Sequence, residues 1–297
     1  IRTVNGAGGT GALMILMHVL GRARPNGRIF ISDPTWPNHI PLSENANLEV
    51  HYYPYFDKKT RSVDFDAMMK VVDSLTSDDI LLLHGCCHNP TGANLTKTQW
   101  DTVVASLKRN GAFPLVALAY LGFGDGLAED AYGVRKVASE LPESMIAFSA
   151  SKNFGLYRER AGVSIAIAKD AATADVVSSQ MQNVIRGTIS QTPDHGAEVV
   201  RLILEDNELR AEWVAELNEM RERMKRLRVK LADAIRRKYN STDFDFIAEH
   251  SGMFSLLGLP QDVVTRLKTE DAVYMINDSR INVAGIPEDR VDELADY

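Results

Sequence analysis

Cysteine is almost absent from this sequence, because its 297 residues contain only two, the neighbours Cys86 and Cys87. One adjacent pair cannot form the framework of a small disulfide-stapled secreted domain, so that class is excluded and a cytoplasmic location is expected. No apolar run reaches the roughly 18 residues that a membrane-spanning helix needs, and no signal peptide is visible. We therefore expect no membrane partner.

Positive charge is also in short supply, since 33 Lys and Arg stand against 40 Asp and Glu and give a net charge of −7. A nucleic-acid surface needs a clustered basic face, so we expect no nucleic-acid partner. The proportions of 45% hydrophobic and 25% charged residues are ordinary and exclude disordered, collagen-like and low-complexity classes. The length predicts one large domain or two unequal ones.

Short β-rich apolar runs alternate with amphipathic helical stretches through the first two thirds of the chain. Most runs are continuously apolar, as strands covered on both faces are. They occupy residues 28–32, 80–83, 114–119, 145–148 and 163–167, with helical patterns such as 66–75 and 97–109 between them. This alternation predicts an α/β fold with a mainly parallel sheet, whose ligands lie at the carboxyl ends of the strands.

One long helix is predicted over about residues 207–238. Apolar residues recur there at spacings of three and four and mark one stripe: Trp213, Leu217, Met220, Met224, Leu227, Leu231 and Ile235. A coiled coil is an alternative, but a helix that joins two domains explains the single occurrence better. Strand-like pieces follow at 253–257 and 280–283, so we expect a large domain over 1–219 and a smaller α+β domain over 220–297.

Glycines cluster at residues 6–11, in Gly-Ala-Gly-Gly-Thr-Gly, directly before a helical run at 12–20. Glycines let the backbone approach an anion, and a helix N-terminus offers free N–H groups. Three interpretations stay open at this point. The segment binds the phosphate of a cofactor, or it is a dinucleotide fingerprint with Asp33 as the acid that follows, or it is a tight turn without a ligand.

Two further loops follow predicted strands. The first holds Trp36 between prolines, where its ring can stack on a planar cofactor or simply belong to the core. The second, residues 84–92, reads His-Gly-Cys-Cys-His-Asn-Pro-Thr-Gly. Adjacent cysteines lack zinc-ligand spacing, so no metal site is expected, while a thiol nucleophile stays an alternative. The turn formed by this segment can present the amide of Asn89 at the sheet edge.

The segment 149–162 places Lys152 just past a predicted buried strand. Burial lowers a lysine's pKa and makes its amine a nucleophile for Schiff-base formation, although a surface lysine in a loop is the ordinary alternative. Arg160, in the same segment, can bind a phosphate with two hydrogen bonds. Ser149 and Lys152 also match the S-x-x-K pattern of penicillin-binding proteins, but the companion motifs are missing.

Taken together, these motifs resemble those of the aspartate/aromatic amino-acid aminotransferases, pyridoxal-phosphate enzymes of fold type I. The resemblance runs the whole length, with the motifs in family order and spacing: Gly9-Thr10-Gly11, Trp36-Pro37-Asn38-His39, Asn89-Pro90-Thr91-Gly92, Tyr120-Leu121-Gly122-Phe123, Ser149-Ala150-Ser151-Lys152-Asn153-Phe154-Gly155 and Arg280-Ile281-Asn282-Val283-Ala284-Gly285. It implies a seven-stranded-type sheet sandwiched by helices and a smaller C-terminal domain.

The resemblance also implies a cofactor, pyridoxal 5′-phosphate, and the residues that hold it. Lys152 would bond to it covalently and then carry a proton during the reaction, with Tyr120 as the second catalytic residue. The residues implied to bind or flank the cofactor are Gly9, Thr10, Trp36, Asn89, Tyr120, Ser149, Ser151, Lys152, Arg160 and Ser190. Under this implication the glycines hold the cofactor phosphate, and the dinucleotide oxidoreductase becomes a remote alternative.

For substrates, the resemblance implies that Arg280 and Asn89 meet the α-carboxylate of an amino acid. Arg186 would meet the side-chain carboxylate of a dicarboxylic substrate across the interface of a homodimer, where Ser190 reaches the partner's phosphate. The implied reaction moves an amino group between an L-amino acid, aspartate or aromatic, and 2-oxoglutarate by a ping-pong mechanism. The sequence leaves the choice between aspartate and aromatic substrates open.

Two departures from the family pattern point to an alternative. The family places an Asp three residues before the tyrosine, where it keeps the cofactor's pyridine nitrogen protonated, and this sequence has Ala117 there. His39, whose family counterpart supports that Asp, would lose its partner. The chain also begins at Ile1 without a family segment of roughly a quarter of the length, and we expect a fragment. The alternative function is therefore a catalytically impaired or non-catalytic pyridoxal-phosphate-binding relative.

Overall fold

The computed structural model describes residues 1–297, and a seven-stranded sheet forms its centre. The strands of this sheet are β1 (Arg2–Ala7), β2 (Arg28–Asp33), β3 (Glu49–Pro54), β6 (Ile80–His84), β7 (Phe113–Leu118), β8 (Ser144–Ser149) and β9 (Ala161–Ile167). Two short pairs lie outside it, β4 (Phe56–Asp57) with β5 (Ser62–Val63), and β10 (Phe254–Leu256) with β11 (Arg280–Asn282).

The strand order in the large sheet is β1-β9-β8-β7-β6-β2-β3. Strands β3, β2, β6, β7 and β8 are parallel, and β9 runs antiparallel to both of its neighbours, β8 and β1. The carboxyl ends of β1, β2, β6, β7 and β8 and the amino end of β9 therefore meet at one edge of the sheet. This edge is where a mainly parallel sheet binds its ligands.

Helices cover both faces of the sheet and continue into the C-terminal part. They are α1 (Gly8–Ala23), α2 (His39–Asn45), α3 (Phe65–Val72), α4 (Lys97–Asn110), α5 (Leu127–Asp130), α6 (Tyr132–Glu140), α7 (Ala171–Thr188), α8 (His195–Glu205), α9 (Asn207–Tyr239), α10 (Phe246–Glu249), α11 (Gln261–Thr269) and α12 (Val291–Leu294). None of them combines the length and apolar character required to cross a bilayer.

Alternate residues of the central strands enter different apolar cores. On β6, Ile80 and Leu82 join the core packed under α1, whereas Leu81 and Leu83 join the core under α3 and α4. Side chains of a strand point alternately to opposite faces, so a sheet covered on both faces needs an unbroken apolar run. The predicted fold class, a mainly parallel sheet between helical layers, is confirmed.

Helix α9 is the long helix expected near 207–238. Asp206 caps its start by accepting hydrogen bonds from the backbone N–H groups of Glu208 and Leu209, and it ends at Asn240 in the left-handed conformation. Its first half contributes Leu217 to a small core with Tyr120. Its second half packs with the residues that follow, in a separate core that reaches Ala295. The domain boundary at 219/220 stays a prediction.

Two sequence expectations differ from the structure. The first predicted strand was at 28–32, but Arg2–Ala7 also forms a strand, β1, because pairing with β9 gives the segment a place at the edge of the sheet. The helix after the glycine cluster was expected to begin at residue 12, but α1 begins at Gly8. The glycines thus form the first turn of α1 rather than a loop ahead of it.

Candidate active site

The motif residues come together because the strands that precede them end at the same edge of the sheet. Lys152 follows β8, Asn89 follows β6, and Tyr120 follows β7. They border a cavity of about 150 Å³. Its wall contains Gly9, Thr10, Trp36, Asn89, Tyr120, Ser149, Ser151, Lys152 and Arg160 together with His39, His84, Cys86, Ala117, Ala119, Ala147, Leu13, Leu118 and Tyr157.

The amine of Lys152 lies 4.9 Å from the centre of the Tyr120 ring, and no carboxylate is within ion-pair distance of it. Burial, and to a smaller degree the charge of Arg160, lowers the pKa of Lys152 below the ordinary lysine value of 10.5. The turn that carries it is held by α9, where Trp213 donates a hydrogen bond to the carbonyl of Asn153 at 2.7 Å and stacks on Phe154. A half-buried, unpaired amine with a depressed pKa is suited to nucleophilic attack on a carbonyl group.

An anion cradle forms one end of the cavity. Helix α1 starts there with no acidic residue in its first turn, so its free N–H groups face an uncompensated positive dipole end. A Cβ atom at Gly9 would lie 2.7 Å from the Cβ of Ser149, and one at Gly8 would lie 2.5 Å from Nη2 of Arg160. Only glycine allows the helix to start this close to both side chains, which is the arrangement that binds a phosphate.

Tyr120 and Asn89 line another side of the cavity, and Arg280, which is not part of the cavity wall, extends their hydrogen-bonded row. Nδ2 of Asn89 donates to the hydroxyl of Tyr120 at 3.4 Å, and Nη1 of Arg280 donates to Oδ1 of Asn89 at 2.7 Å. Burial raises the pKa of Tyr120, which keeps its hydroxyl neutral. The Arg280 guanidinium also lies over the ring of Phe254, 4.7 Å from its centre. No carboxylate pairs with Arg280, so this guanidinium can bind one from a ligand.

The floor of the cavity contains two histidines and no acid. Ala117 on β7 lies opposite His84 on β6, and His39 at the start of α2 contacts the ring of His84 edge-on. Trp36 meets the His39 ring at 89°, with 5.2 Å between ring centres, and forms the adjoining wall. No Asp or Glu borders the cavity, whereas Lys152 and Arg160 are basic residues. The cavity is therefore suited to an anionic ligand that has a planar ring.

Arg186 and Ser190 do not reach this cavity. Both are exposed, at the end of α7 and just after it, and Nη1 of Arg186 donates to the Ser190 hydroxyl at 2.7 Å. Within one chain these two residues contact each other and, like Arg280, are not part of the wall of the Lys152 cavity.

The cysteines lie beside the cavity with a third potential metal ligand. The two thiols and the carboxylate of Asp130 lie within 4.8 Å of one another. That carboxylate, however, already accepts hydrogen bonds from the backbone N–H groups of Gly122, Gly124 and Asp125. The hydrogen bond between the two thiols and the burial of the pair raise the pKa of Cys86, so its thiol is protonated and a poor nucleophile. The geometry favours neither a metal site nor a thiol nucleophile.

Sequence reasoning missed Tyr157 and Cys86 as residues of the cavity wall. Tyr157 is half exposed and lies in the segment between Lys152 and Arg160, where no periodicity or turn signal marks the direction of a side chain. A second, larger groove lies in the C-terminal part, between α9 and residues 257–297. Most of its lining is apolar and it gathers no nucleophile or anion cradle, so it carries no comparable chemistry.

The comparisons with known proteins agree on one family. A family model described as aminotransferase class I and II matches residues 1–297. The aromatic-amino-acid aminotransferase of Paracoccus denitrificans is 49% identical over 293 residues, which cover 99% of this chain and 74% of that protein. The aspartate aminotransferase of Salmonella typhi is 42% identical over 295 residues, with the same coverage.

A solved structure gives the same result in three dimensions. The aromatic-amino-acid aminotransferase from Burkholderia pseudomallei, covalently bound to pyridoxal phosphate, superposes with a TM-score of 0.96 at 39% identity. The match covers 99% of this chain and 74% of that one.

Proposed function

The chain belongs to the class I and II aminotransferases, and on that premise we propose that it is a pyridoxal-phosphate-dependent transaminase. Its substrates would be an L-amino acid, aspartate or aromatic, and 2-oxoglutarate, converted in turn by a ping-pong mechanism. The observation that carries the proposal is the position of Lys152, whose unpaired amine lies in a cavity that has an anion cradle at one end and Asn89, the hydrogen-bond partner of Arg280, in its wall.

The residues present fit this cofactor. The cavity has no acidic side chain to repel a phosphate, and the start of α1, Ser149, Ser151 and Arg160 supply donors at one end. Trp36 offers a flat wall for the ring, and Asn89 and Tyr120 offer polar groups for its oxygen. When bound, the cofactor supplies a ring that accepts electrons from the substrate's α-carbon.

Lys152, Arg280 and Tyr120 would each have a separate role in the reaction. The lowered pKa of Lys152 favours the neutral form of the amine, which would hold the cofactor and move a proton at the substrate's α-carbon. Arg280 binds the α-carboxylate, and its hydrogen bond to Asn89 fixes where that carboxylate lies. Tyr120, kept neutral by burial, orients the ring oxygen.

The positions of Arg186 and Ser190 support a homodimer as part of this proposal. Both are exposed and contact each other rather than the cavity of their own chain. In a symmetric pair the same surface of each copy faces the other, so these residues could complete the partner's site. Arg186 would then bind the side-chain carboxylate of a dicarboxylic substrate.

A second candidate, a catalytically impaired or non-catalytic pyridoxal-phosphate-binding relative, is favoured by one observation. No Asp or Glu borders the cavity, and Ala117 occupies the position on β7 three residues before Tyr120. Without an acid, nothing in the chain keeps the pyridine nitrogen protonated, which weakens the ring as an electron acceptor.

Half-reaction rates separate the two candidates. The chain is loaded with pyridoxal 5′-phosphate, mixed with aspartate or phenylalanine, and followed by cofactor absorbance, beside Ala117→Asp. Fast product formation in the parent chain supports the transaminase. Slow product formation that Ala117→Asp speeds by about 100-fold, about 2.7 kcal/mol of barrier, supports the impaired relative. Stable cofactor absorbance without product in either form would favour the non-catalytic relative. Equal rates in both forms would contradict the role given to the missing acid.

A further inference from the structure

The carboxylate of Asp130, at the end of α5, holds the loop that follows Tyr120. It accepts three backbone hydrogen bonds, from the N–H groups of Gly122 at 2.8 Å, Gly124 at 2.9 Å and Asp125 at 2.8 Å. Hydrogen bonds to an ionised acceptor are stronger than those between neutral groups. Three N–H groups that converge on one carboxylate therefore fix the path of the backbone between them.

The loop fits closely around this carboxylate. A Cβ atom at Gly124 would overlap Oδ1 of Asp130. Gly122 has a φ of +95°, a conformation that favours glycine, and a Cβ atom there would lie 2.6 Å from Cδ2 of Leu217 on α9. The loop therefore lies between the Asp130 carboxylate and α9, with no space to shift toward either.

Tyr120 takes its position from this loop. Its carbonyl accepts hydrogen bonds from the N–H of Phe123 at 3.1 Å and from the thiol of Cys87 at 3.8 Å. Its hydroxyl accepts from Nδ2 of Asn89 at 3.4 Å, which is near the outer limit for a hydrogen bond. A small shift of the loop would therefore break the contact between Tyr120 and Asn89.

We infer that Asp130 is the positioning residue for Tyr120. Asp130 does not border the Lys152 cavity, and it acts through the loop that carries Tyr120 into the cavity wall. The cysteine pair belongs to the same arrangement, because both thiols lie within 4.8 Å of the carboxylate. The inference rests on the proposed function in one respect, since that proposal assigns the Tyr120 hydroxyl to the cofactor's ring oxygen.

Hydrogen exchange tests the Asp130 contacts in the full chain without cofactor. In Asp130→Asn the new amide has a single acceptor oxygen, and its NH₂ group repels the N–H groups of the loop. We expect the amides of peptide 120–126 to exchange at least about tenfold faster, measured by mass spectrometry. Asp125→Asn is the matched control, because its carboxylate is exposed and pairs with Lys225, and its backbone N–H is kept. Exchange at the parent rate in Asp130→Asn overturns the inference.

The pH midpoint of the bound cofactor's absorbance reports on Tyr120 itself. A hydroxyl that donates to the ring oxygen stabilises its anionic form, so the loss of that donor raises the midpoint. We expect Asp130→Asn and Tyr120→Phe each to raise it by about one pH unit, and Asp125→Asn to leave it unchanged.

The double variant shows whether Asp130 acts through Tyr120. Two residues that act through one contact have non-additive effects. Asp130→Asn should therefore add nothing to the midpoint shift of Tyr120→Phe. A further shift in the double variant, equal to that of Asp130→Asn alone, would mean that Asp130 acts by another route and overturns the inference.

Gly124→Ala disturbs the same contact from the loop side and keeps the carboxylate. It should speed exchange and raise the midpoint as Asp130→Asn does, so it tests the inference even where Asp130→Asn does not fold. Gly187→Ala, where a methyl group meets nothing within 4 Å, is its control. Parent values for both measurements in Gly124→Ala overturn the inference.

Two failures are kept apart by the parent chain and Tyr120→Phe. A parent chain that never binds the cofactor through Lys152, or a parent midpoint in Tyr120→Phe, contradicts the proposed function, and hydrogen exchange then decides the inference. A raised midpoint in Tyr120→Phe with parent midpoints in Asp130→Asn and Gly124→Ala contradicts only this inference.

Discussion

Arg280 donates a hydrogen bond from Nη1 to Oδ1 of Asn89 at 2.7 Å, across 191 residues of sequence. Asn89 comes from the loop after β6 and Arg280 from β11, so the bond joins the central sheet to the C-terminal part. The other end of the Asn89 amide contacts Tyr120. One amide thus orients both the guanidinium for the substrate carboxylate and the hydroxyl proposed for the cofactor ring.

Replacing Arg280 should weaken substrate binding. In Arg280→Lys the charge stays, but the two-pronged guanidinium that binds a carboxylate is lost, and an interaction of about 1.5–3 kcal/mol disappears. We expect KM for the amino acid to rise about 10- to 100-fold, measured from half-reaction rates against substrate concentration. Arg210→Lys, at an exposed position on α9, is the matched control and should leave KM unchanged. An unchanged KM in Arg280→Lys would remove this residue from the substrate site.

The glycine at the start of α1 should be required for cofactor binding. In Gly9→Ala the new methyl group would lie 2.7 Å from the Cβ of Ser149, so the cradle must open. We expect the affinity for pyridoxal phosphate to fall at least about tenfold, measured by equilibrium dialysis. Gly187→Ala provides the comparison, since a methyl group there, on α7, meets nothing within 4 Å. Equal cofactor affinity in the two variants would show that the cradle tolerates a side chain.

The half-buried His84 should make the fold sensitive to acid. Its pKa falls from 6.5 to about 3 on folding. Between these pH values His84 is protonated in the unfolded chain but neutral in the folded chain. The free energy of unfolding therefore decreases as the pH falls from 6.5 toward 3. The slope is at most about 1.4 kcal/mol per pH unit, and smaller here because part of the ring borders the cavity.

Urea unfolding at several pH values between 7 and 5 measures this slope. His84→Gln cannot be protonated, so its free energy of unfolding should decrease less steeply with acidification than that of the parent chain. Parallel slopes for the two proteins would mean that His84 titrates normally in the folded state.

Arg228 should be essential for the junction between α9 and the segment 247–255. This guanidinium is 1% exposed and donates to the carbonyls of Ile247, Gly252 and Phe254 and to the Ser255 hydroxyl. Burial lowers its pKa to about 10. Arg228→Met leaves these acceptors unpaired, and we expect a loss of about 3 kcal/mol in unfolding free energy.

Arg236→Met on the same helix is the control for Arg228. Its partner Asp245 lies nearer the surface, and ion pairs of that kind contribute about 1 kcal/mol or less. Chemical denaturation of both variants gives the comparison. A loss at Arg228 no larger than that at Arg236 would mean that the carbonyls find other donors.

Much of the fold was predictable because it rests on local patterns. The unbroken apolar runs marked the central strands, since both faces of the sheet are covered. Strand β1 was missed for the opposite reason, because Arg2–Ala7 lies at the edge and alternates in burial through polar and small residues. Its structure comes from pairing with β9, about 160 residues away, which no local pattern records.

The candidate site divides in the same way. Lys152, Asn89 and Trp36 stood out because each follows a predicted strand, and parallel strands end at one edge. The pairing of Arg280 with Asn89, the thiol–carboxylate grouping at Asp130 and the contact between the His39 and His84 rings depend on how distant segments pack. The domain boundary, the cytoplasmic location and the roles of the site residues stay predictions.

Trapping the bond between Lys152 and its cofactor tests the central claim most directly. The chain is loaded with pyridoxal 5′-phosphate, reduced with borohydride, digested and mapped by mass spectrometry, beside Lys152→Ala and the surface variant Lys97→Ala. We predict one phosphopyridoxyl label, on the peptide that contains Lys152, present in Lys97→Ala and absent from Lys152→Ala. A label on another lysine, or none in the parent chain, would contradict the account.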